Sequence, residues 1–316
     1  MPDPAGYIHC TILSGDFMTI RDWMLIAFLS LIWGGSFFFA EVALFAYGPL
    51  TVVALRVSLA AVILLIILRA TGKALPSGWG IWAALAGMGL LNNVIPFSLI
   101  VWGQVHVTSS IASIFNATTP LFTVFVAHLL TTDERMTANK LAGVLLGIAG
   151  VVVMIGPSAL AGFDMANAGQ IAVLGGALSY AFASIWGRRL KGLTPMVAAA
   201  GMLLMASVIM VPAALLLETP LKVVPSLSVI ASVIGLASVS TALAYLIYFR
   251  LLSSVGSTNL MLVTLLIPIS AMALGIAFLD EAPEASAFAG MLLIFAGLIS
   301  VDGRLYRKLK GRYLPE

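Results

Sequence analysis

The sequence predicts an all-α integral membrane protein of ten transmembrane helices, laid out as two inverted five-helix repeats. Three observations lead there. The first is composition: 61% of the 316 residues are hydrophobic and 9% are charged, where soluble domains hold about 45–50% and about 25%. Such a chain lacks the polar surface to cover itself in water. The second is clustering. The apolar residues fall in runs of about 18–22, the length a helix needs to cross a hydrocarbon core of about 30 Å. Backbone polar groups in lipid must pair within their own segment, which makes these runs helices; barrel strands would be half as long and would alternate. The third is repetition. Ser109 and Ser257 each stand eleven positions before a proline, Pro120 and Pro268. Asp133-Glu134 and Asp280-Glu281 close the two apolar runs, and Gly143 and Gly150 are echoed by Gly290 and Gly297. With one residue gapped, the chain reads as one module written twice, and a long internal period of this kind decides the architecture.

The spans are read at 22–40, 50–68, 79–102, 108–130 and 138–155, then at 168–187, 195–217, 227–249, 257–279 and 284–301. The breaks carry turn and charge chemistry: Tyr47-Gly48-Pro49, Lys73 to Gly78, Thr131 to Arg135, Gly156-Pro157-Ser158, Lys191 to Pro195, and Leu217 to Pro225. The first repeat is expected over 18–155 and the second over 166–303, between a tail at 1–17 and a basic tail at 304–316. Residues 1–17 hold no Lys or Arg, so the basic start of a secretory signal is missing. Met18 stands as an alternative start just before the first span.

Basic residues in short loops set orientation. With the N-terminus inside, the inner ends hold every Lys and Arg except Lys222, outside, and Arg56, within the second span. Both termini are therefore expected in the cytoplasm. An odd number of spans per repeat turns the second copy upside down. The basic tail after Val301 suits anionic lipid headgroups.

At this point the chain resembles the EamA-type branch of the drug/metabolite transporter superfamily. The residues that carry the resemblance are Ile32-Trp33-Gly34 in the first span, Pro49 with Arg56 seven positions on, and the proline to Asp-Glu to glycine run. It spans residues 20 to 303 and occurs in both halves. The resemblance implies a ten-helix, two-repeat inner-membrane carrier with a central cavity, whose relatives mostly export amino acids, other metabolites or toxic compounds. The second half departs from the first: Met202 stands where Arg56 would be, and Tyr180 where Trp33 would be.

Candidate substrate-binding residues follow from polarity and aromaticity inside spans. Pro120 and Pro268 each free the carbonyl four residues earlier, those of Asn116 and Thr264. The functional reading is a substrate site between the fourth and ninth helices; the plain one is a kink covered by a neighbouring helix. Asn92-Asn93, followed by Pro96, and Ser240-Thr241, followed by Tyr245 and Tyr248, place polar groups at depth. There they face either a cavity or an interhelical hydrogen bond. Trp33 and Phe37 share one face of the first helix, and Tyr180 and Ser184 one face of the sixth; cavity wall and simple packing both account for them. Arg56 is the one full charge well inside a span. It reads either as a structural ion pair with Glu41 or as a holder of a substrate carboxylate, and the pair is favoured. His106 and His128 are candidates for a proton role by residue type, yet a packing role suits each better. Gly143, Gly147 and Gly150, with Gly290 and Gly297, are read as close helix packing or a homodimer contact.

Other readings weaken. All 13 acidic residues lie in tails, loops or span ends, so no carboxylate relay crosses the membrane and facilitated transport or exchange is expected. Cys10 is the only cysteine, which excludes an intrachain disulfide and a four-cysteine metal site. No nucleotide-binding loop, metal-hydrolase motif or nucleophile elbow is present, so neither a cofactor nor an intramembrane enzyme is expected. The expected partners are a small molecule and the bilayer, with no nucleic acid. A carrier for small metabolites leads, with a multidrug efflux carrier as the alternative.

Overall fold

The computed structural model describes residues 19–132, 136–156, 164–222, 224–260 and 262–302. Asp133, Glu134, Arg135, Pro157, both tails and the Ser257 side chain lie outside the described residues. Among the described residues every regular element is helical. In chain order these are α1 (Ile20–Leu44), α2 (Pro49–Ala70), α3 (Trp79–Gln104), α4 (Ser109–Leu130) and α5 (Ala138–Ile155). The second set is α6 (Met165–Leu190), α7 (Pro195–Leu217), α8 (227–260), α9 (Leu262–Phe278) and α10 (Ala285–Asp302). The first eight are long and apolar enough to cross a membrane; α9 and α10 are shorter apolar helices.

Local chemistry explains where they start. Thr19 and Asp22 form a capping box on α1, in which the Thr19 Oγ1 accepts from the Asp22 N–H and the Asp22 carboxylate from the Thr19 N–H. Thr108, Thr137, Asp164 and Ser226 cap α4, α5, α6 and α8 with side-chain oxygens. Pro49 and Pro195 open α2 and α7, where the missing N–H costs nothing. One boundary differs from expectation. The helix that began at Leu227 continues to 260 instead of breaking between 249 and 257. No proline interrupts that segment, and Leu251 and Leu260 at its ends are buried in the core.

Two helices are widened midway. Leu90–Val94 in α3 and Ser238–Leu243 in α8 are π-helical, each with one extra residue per turn. A cross-helix hydrogen bond ties each to a neighbour. The Ser179 hydroxyl of α6 donates to the Leu91 carbonyl at 2.7 Å, and the Ser240 hydroxyl donates to the Ile32 carbonyl of α1 at 2.9 Å. α4 is interrupted at Ala117-Thr118, just before Pro120. α9 runs through Pro268 unbroken.

The bundle is held by α5 on α10, α2 on α7, and α1 on α9, with α6 against α3 and α4 and with α8 against α1 and α2. Lipid tails are as apolar as leucine, so close packing rather than exclusion of water holds such helices together. The α5–α10 contact shows how. A Cβ at Gly150 would lie 2.7 Å from the Gly290 carbonyl oxygen, and one at Gly297 2.6 Å from that of Gly143. The glycine faces read from the sequence thus meet each other within the chain. Outward faces stay apolar: Leu145 and Val152 on α5, Leu216 on α7 and Leu292 on α10 are all exposed. The buried core has two lobes, one around Leu29, Phe115 and Ile294, the other around Val52, Leu64 and Leu203.

Candidate functional site: a cavity between the two lobes

A cavity of about 640 Å³ lies between the lobes. Phe37, Ile100 and Ile267 come to its wall from the first lobe, and Phe97, Val101 and Met202 from the second. One end reaches Lys191, Leu193 and Pro195 at the α6–α7 turn, where Lys191 and Pro195 are exposed. The other end stops at Ala40 and Gln104, which are buried.

Both π-helical stretches deliver polar groups to this space. In α3 the extra residue separates the two asparagines. Asn92 lines the cavity, and its Nδ2 donates to the Tyr245 hydroxyl at 3.0 Å. That hydroxyl in turn donates to Asn93 Oδ1 at 3.1 Å. Asn93 is fully buried behind the wall, where it orients Tyr245 and does not meet the cavity. In α8 both Ser240 and Thr241 reach the wall.

Arg56 is the charge at the centre. The residue is 8% exposed, and its guanidinium donates from Nε to Thr241 Oγ1 at 2.9 Å and lies 3.6 Å from the centroid of the Phe97 ring. The Thr241 hydroxyl donates its own proton to the Leu236 carbonyl at 2.8 Å, which turns a lone pair toward Arg56. The expected ion pair with Glu41 is not formed. Glu41 accepts instead from Gln104 Nε2 at 3.1 Å, and that amide also donates to the Phe37 carbonyl at 2.9 Å. The reason is geometric: Gln104, at the end of α3, occupies the side of α1 to which Glu41 points.

Trp33 and Phe37 from α1 and Tyr180 from α6 form aromatic walls. Trp33 and Tyr248 have ring centroids 5.6 Å apart, and Phe97 and Tyr180 meet edge to face at 6.5 Å. Asn116 and Thr264 also face the cavity. The carbonyl freed by Pro120 is not open: the Thr119 hydroxyl donates to Asn116 O at 2.7 Å. What remains unpartnered is the Asn116 side-chain Oδ1, along with Gln104 Oε1. Pro96 and Pro120 open the second halves of α3 and α4, and Pro96, Pro120 and Pro268 are buried outside the cavity wall. His106 and His128 do not line it; His128 Nδ1 accepts from the Met136 N–H at 3.2 Å.

Beyond the buried end, two carboxylates clamp helix starts. Glu281 accepts from the backbone N–H groups of Ser109 and Ser110 at 2.9 and 3.0 Å, from Ser109 Oγ at 2.6 Å, and from Ser110 Oγ. Glu218 does the same at α2, accepting from Leu50 N, Thr51 N and Thr51 Oγ1 at 3.0, 2.9 and 2.6 Å. Helix N-termini present unpaired N–H groups and a positive dipole end, so carboxylates suit them. A glycine makes room in each case. A side chain at Gly48 would overlap the Glu218 carboxylate, and one at Gly275 that of Glu281. Asp280, at φ 54°, turns the chain so that Glu281 folds back onto α9, with its N–H donating to the Gly275 carbonyl at 3.2 Å.

Of the residues singled out in the sequence, Trp33, Phe37, Asn92, Asn116, Tyr180, Thr241, Tyr245 and Thr264 come together on the wall. Gln104, Phe97 and Ser36 share that wall and carried no signal in the sequence. Gln104 sits at a span end, where a polar residue is ordinary, and its role depends on α1 packing beside it.

Comparison with known proteins follows the same two halves. The model of the EamA-like transporter family matches residues 22–156 and again residues 167–301. The "Uncharacterized inner membrane transporter YedA" of Escherichia coli K12 is 31% identical over 229 residues, 72% of this chain and 73% of that one. A "Probable amino-acid metabolite efflux pump" of the same strain is 28% identical over 303 residues, 92% of this chain and 98% of its own. "Protein PecM" of Dickeya dadantii is 26% identical over 287 residues, 90% and 93% of the two chains. A crystal structure at 20% identity superposes with a TM-score of 0.65 over 93% of this chain and 99% of that one, a likeness of fold.

Proposed function

Because this chain belongs to the EamA-like transporter family, we propose that it carries small organic metabolites, amino acids or related compounds, across the inner membrane by alternating access. It is a multi-pass membrane transporter; solute, topology and direction are the proposed parts. The observation that carries the reading is the cavity. It is large enough for an amino acid, is built by helices of both halves, and is open at one end and clamped at the other.

Counting α9 and α10 with the eight longer helices gives ten crossings, five per repeat. The contacts support two related halves. Exchanging α1–α5 with α6–α10 turns α1–α9 into α6–α4, and α3–α6 into α8–α1. It turns α3–α7 into α8–α2, and leaves α2–α7 and α5–α10 as their own counterparts; every one of these contacts occurs. Five crossings per half invert the second against the first, the layout of many secondary carriers. The basic residues of the inner loops favour a topology with both termini, and the cavity mouth at Lys191, on the cytoplasmic side. The Glu218 and Glu281 clamps then close the outer face. Among the described residues no acidic side chain lines the cavity, which favours exchange or facilitated movement over a proton relay. The relative named as an amino-acid metabolite efflux pump supports the solute class.

Counterflow in proteoliposomes tests this. Vesicles holding the purified protein and loaded with unlabelled leucine or phenylalanine should accumulate the labelled amino acid above protein-free vesicles. Equal accumulation in both, across the full set of amino acids, would overturn the proposal. Reporter fusions at the two termini should both report cytoplasm; opposite sides would remove the ten-crossing topology.

A further inference from the structure

The geometry points to Arg56 as the anchor for a carboxylate, which makes a small organic acid group the obligatory handle of the transported solute. This rests on the cavity being the solute path.

Arg56 carries five N–H donors, and the protein uses one. Nε–H goes to Thr241 Oγ1 at 2.9 Å. Among the described residues neither Nη has a protein acceptor and no acidic side chain pairs with the group, since Glu41 is held by Gln104. Phe97 stacks on the face of the guanidinium at 3.6 Å, a favourable contact that leaves the hydrogen-bonding edge of the group in its own plane, and Arg56 lines the cavity. That edge is the planar fork that binds a carboxylate through two parallel hydrogen bonds.

A full charge in the interior without a counter-charge is costly, and a cation at this depth persists where something repays that cost. The second observation is the charge of the whole cavity. Among the described residues its lining holds two cations, Arg56 inside and Lys191 at the open end, and no Asp or Glu. A cleft lined by charges of one sign concentrates the opposite ion. The third is fixed orientation. The Thr241 hydroxyl is locked by its bond to Leu236 O inside the π-helical stretch, so Nε is held and the fork cannot swing toward Glu41. The remaining walls are Trp33, Phe37, Tyr180 and Met202, which suit an apolar or aromatic body on the acid.

The test compares near-isosteric probes on the purified full chain: 3-phenylpropionate against 3-phenylpropionamide, and 4-methylpentanoate against its amide. Binding is read by tryptophan fluorescence and by thermal shift. The wild type should bind each acid at least about tenfold more tightly than its amide, the span expected for hydrogen bonds to a charged group. R56Q should abolish that preference, and R56K should keep part of it. Should R56Q fail to fold, wild type and R56K decide alone. Equal affinity for acid and amide in the wild type, an undiminished acid preference in R56Q, or no binding of any acid would each overturn the inference. Counterflow separates it from the carrier reading. A protein that exchanges neutral solutes without preferring acids is a carrier with no such anchor. One that binds acids through Arg56 yet exchanges nothing has the anchor and is no carrier.

Discussion

Removing the Glu281 carboxylate should unlatch the outer end of the bundle. In Glu281→Ala the N–H groups of Ser109 and Ser110 and both their hydroxyls lose their common acceptor. A hydrogen bond to a charged group contributes about 1.5–3 kcal/mol net. Four donors share one carboxylate, and water replaces part of it once the end opens, so the closed form loses about 2–4 kcal/mol rather than four full bonds. At about 1.4 kcal/mol per factor of ten, the opening equilibrium shifts by about 30- to 700-fold. The assay exploits the single cysteine, Cys10. In a Cys10→Ser background, Ala40→Cys places a thiol at the buried end of the cavity, where Ala40 is 1% exposed. A charged, membrane-impermeant thiol reagent added outside intact cells should label it slowly. Adding Glu281→Ala should raise that rate by the factor above, to the ceiling set by full opening, and Glu281→Gln should fall between. A rate within threefold of the parent would refute the reasoning, because the clamp would then not hold the closed form.

Three further outcomes follow from close contacts. Gly48→Ala should displace the Glu218 carboxylate and lower stability by about 1–3 kcal/mol in detergent unfolding; with Glu218→Ala already present it should cost little, since the two act through one contact. Gly150→Ala, whose Cβ would meet the Gly290 carbonyl at 2.7 Å and Ile294 Cγ1 at 2.9 Å, should cost about 1–3 kcal/mol by the same measurement. Asp280→Gly should leave stability unchanged or raise it by up to about 1 kcal/mol, because φ 54° suits glycine, whereas Asp280→Val should lower it by about 1–3 kcal/mol.

What the sequence disclosed is what depends on local chemistry. Hydropathy located the helices because lipid requires each to be apolar along its length. Tyr180 and Thr241 drew notice as polar groups in apolar runs, and both reach the cavity. What stayed hidden depends on partners far away in the chain. Glu281 reads as a loop carboxylate until Ser109, 172 positions earlier, folds beside it. Arg56 and Glu41 lie close enough along the chain to suggest a pair, and only the packing of α3 shows that Glu41 is taken by Gln104 instead. The π-helical stretches have no period of their own, so nothing in Asn92-Asn93 shows that one side chain lines the wall and the other braces it.

The glycine seam between α5 and α10 has a consequence for how the protein moves. Carbonyl oxygens there rest on bare α-carbons, with no side chain interposed. The side chains of Ile294, Val301 and Met154 stand against Gly150, Gly143 and Gly290 at the edges of that contact, so the seam resists lengthwise sliding and still permits a swivel. Under the alternating access proposed above, the line where these helices touch is the natural axle, and the largest excursions belong to the segments farthest from it.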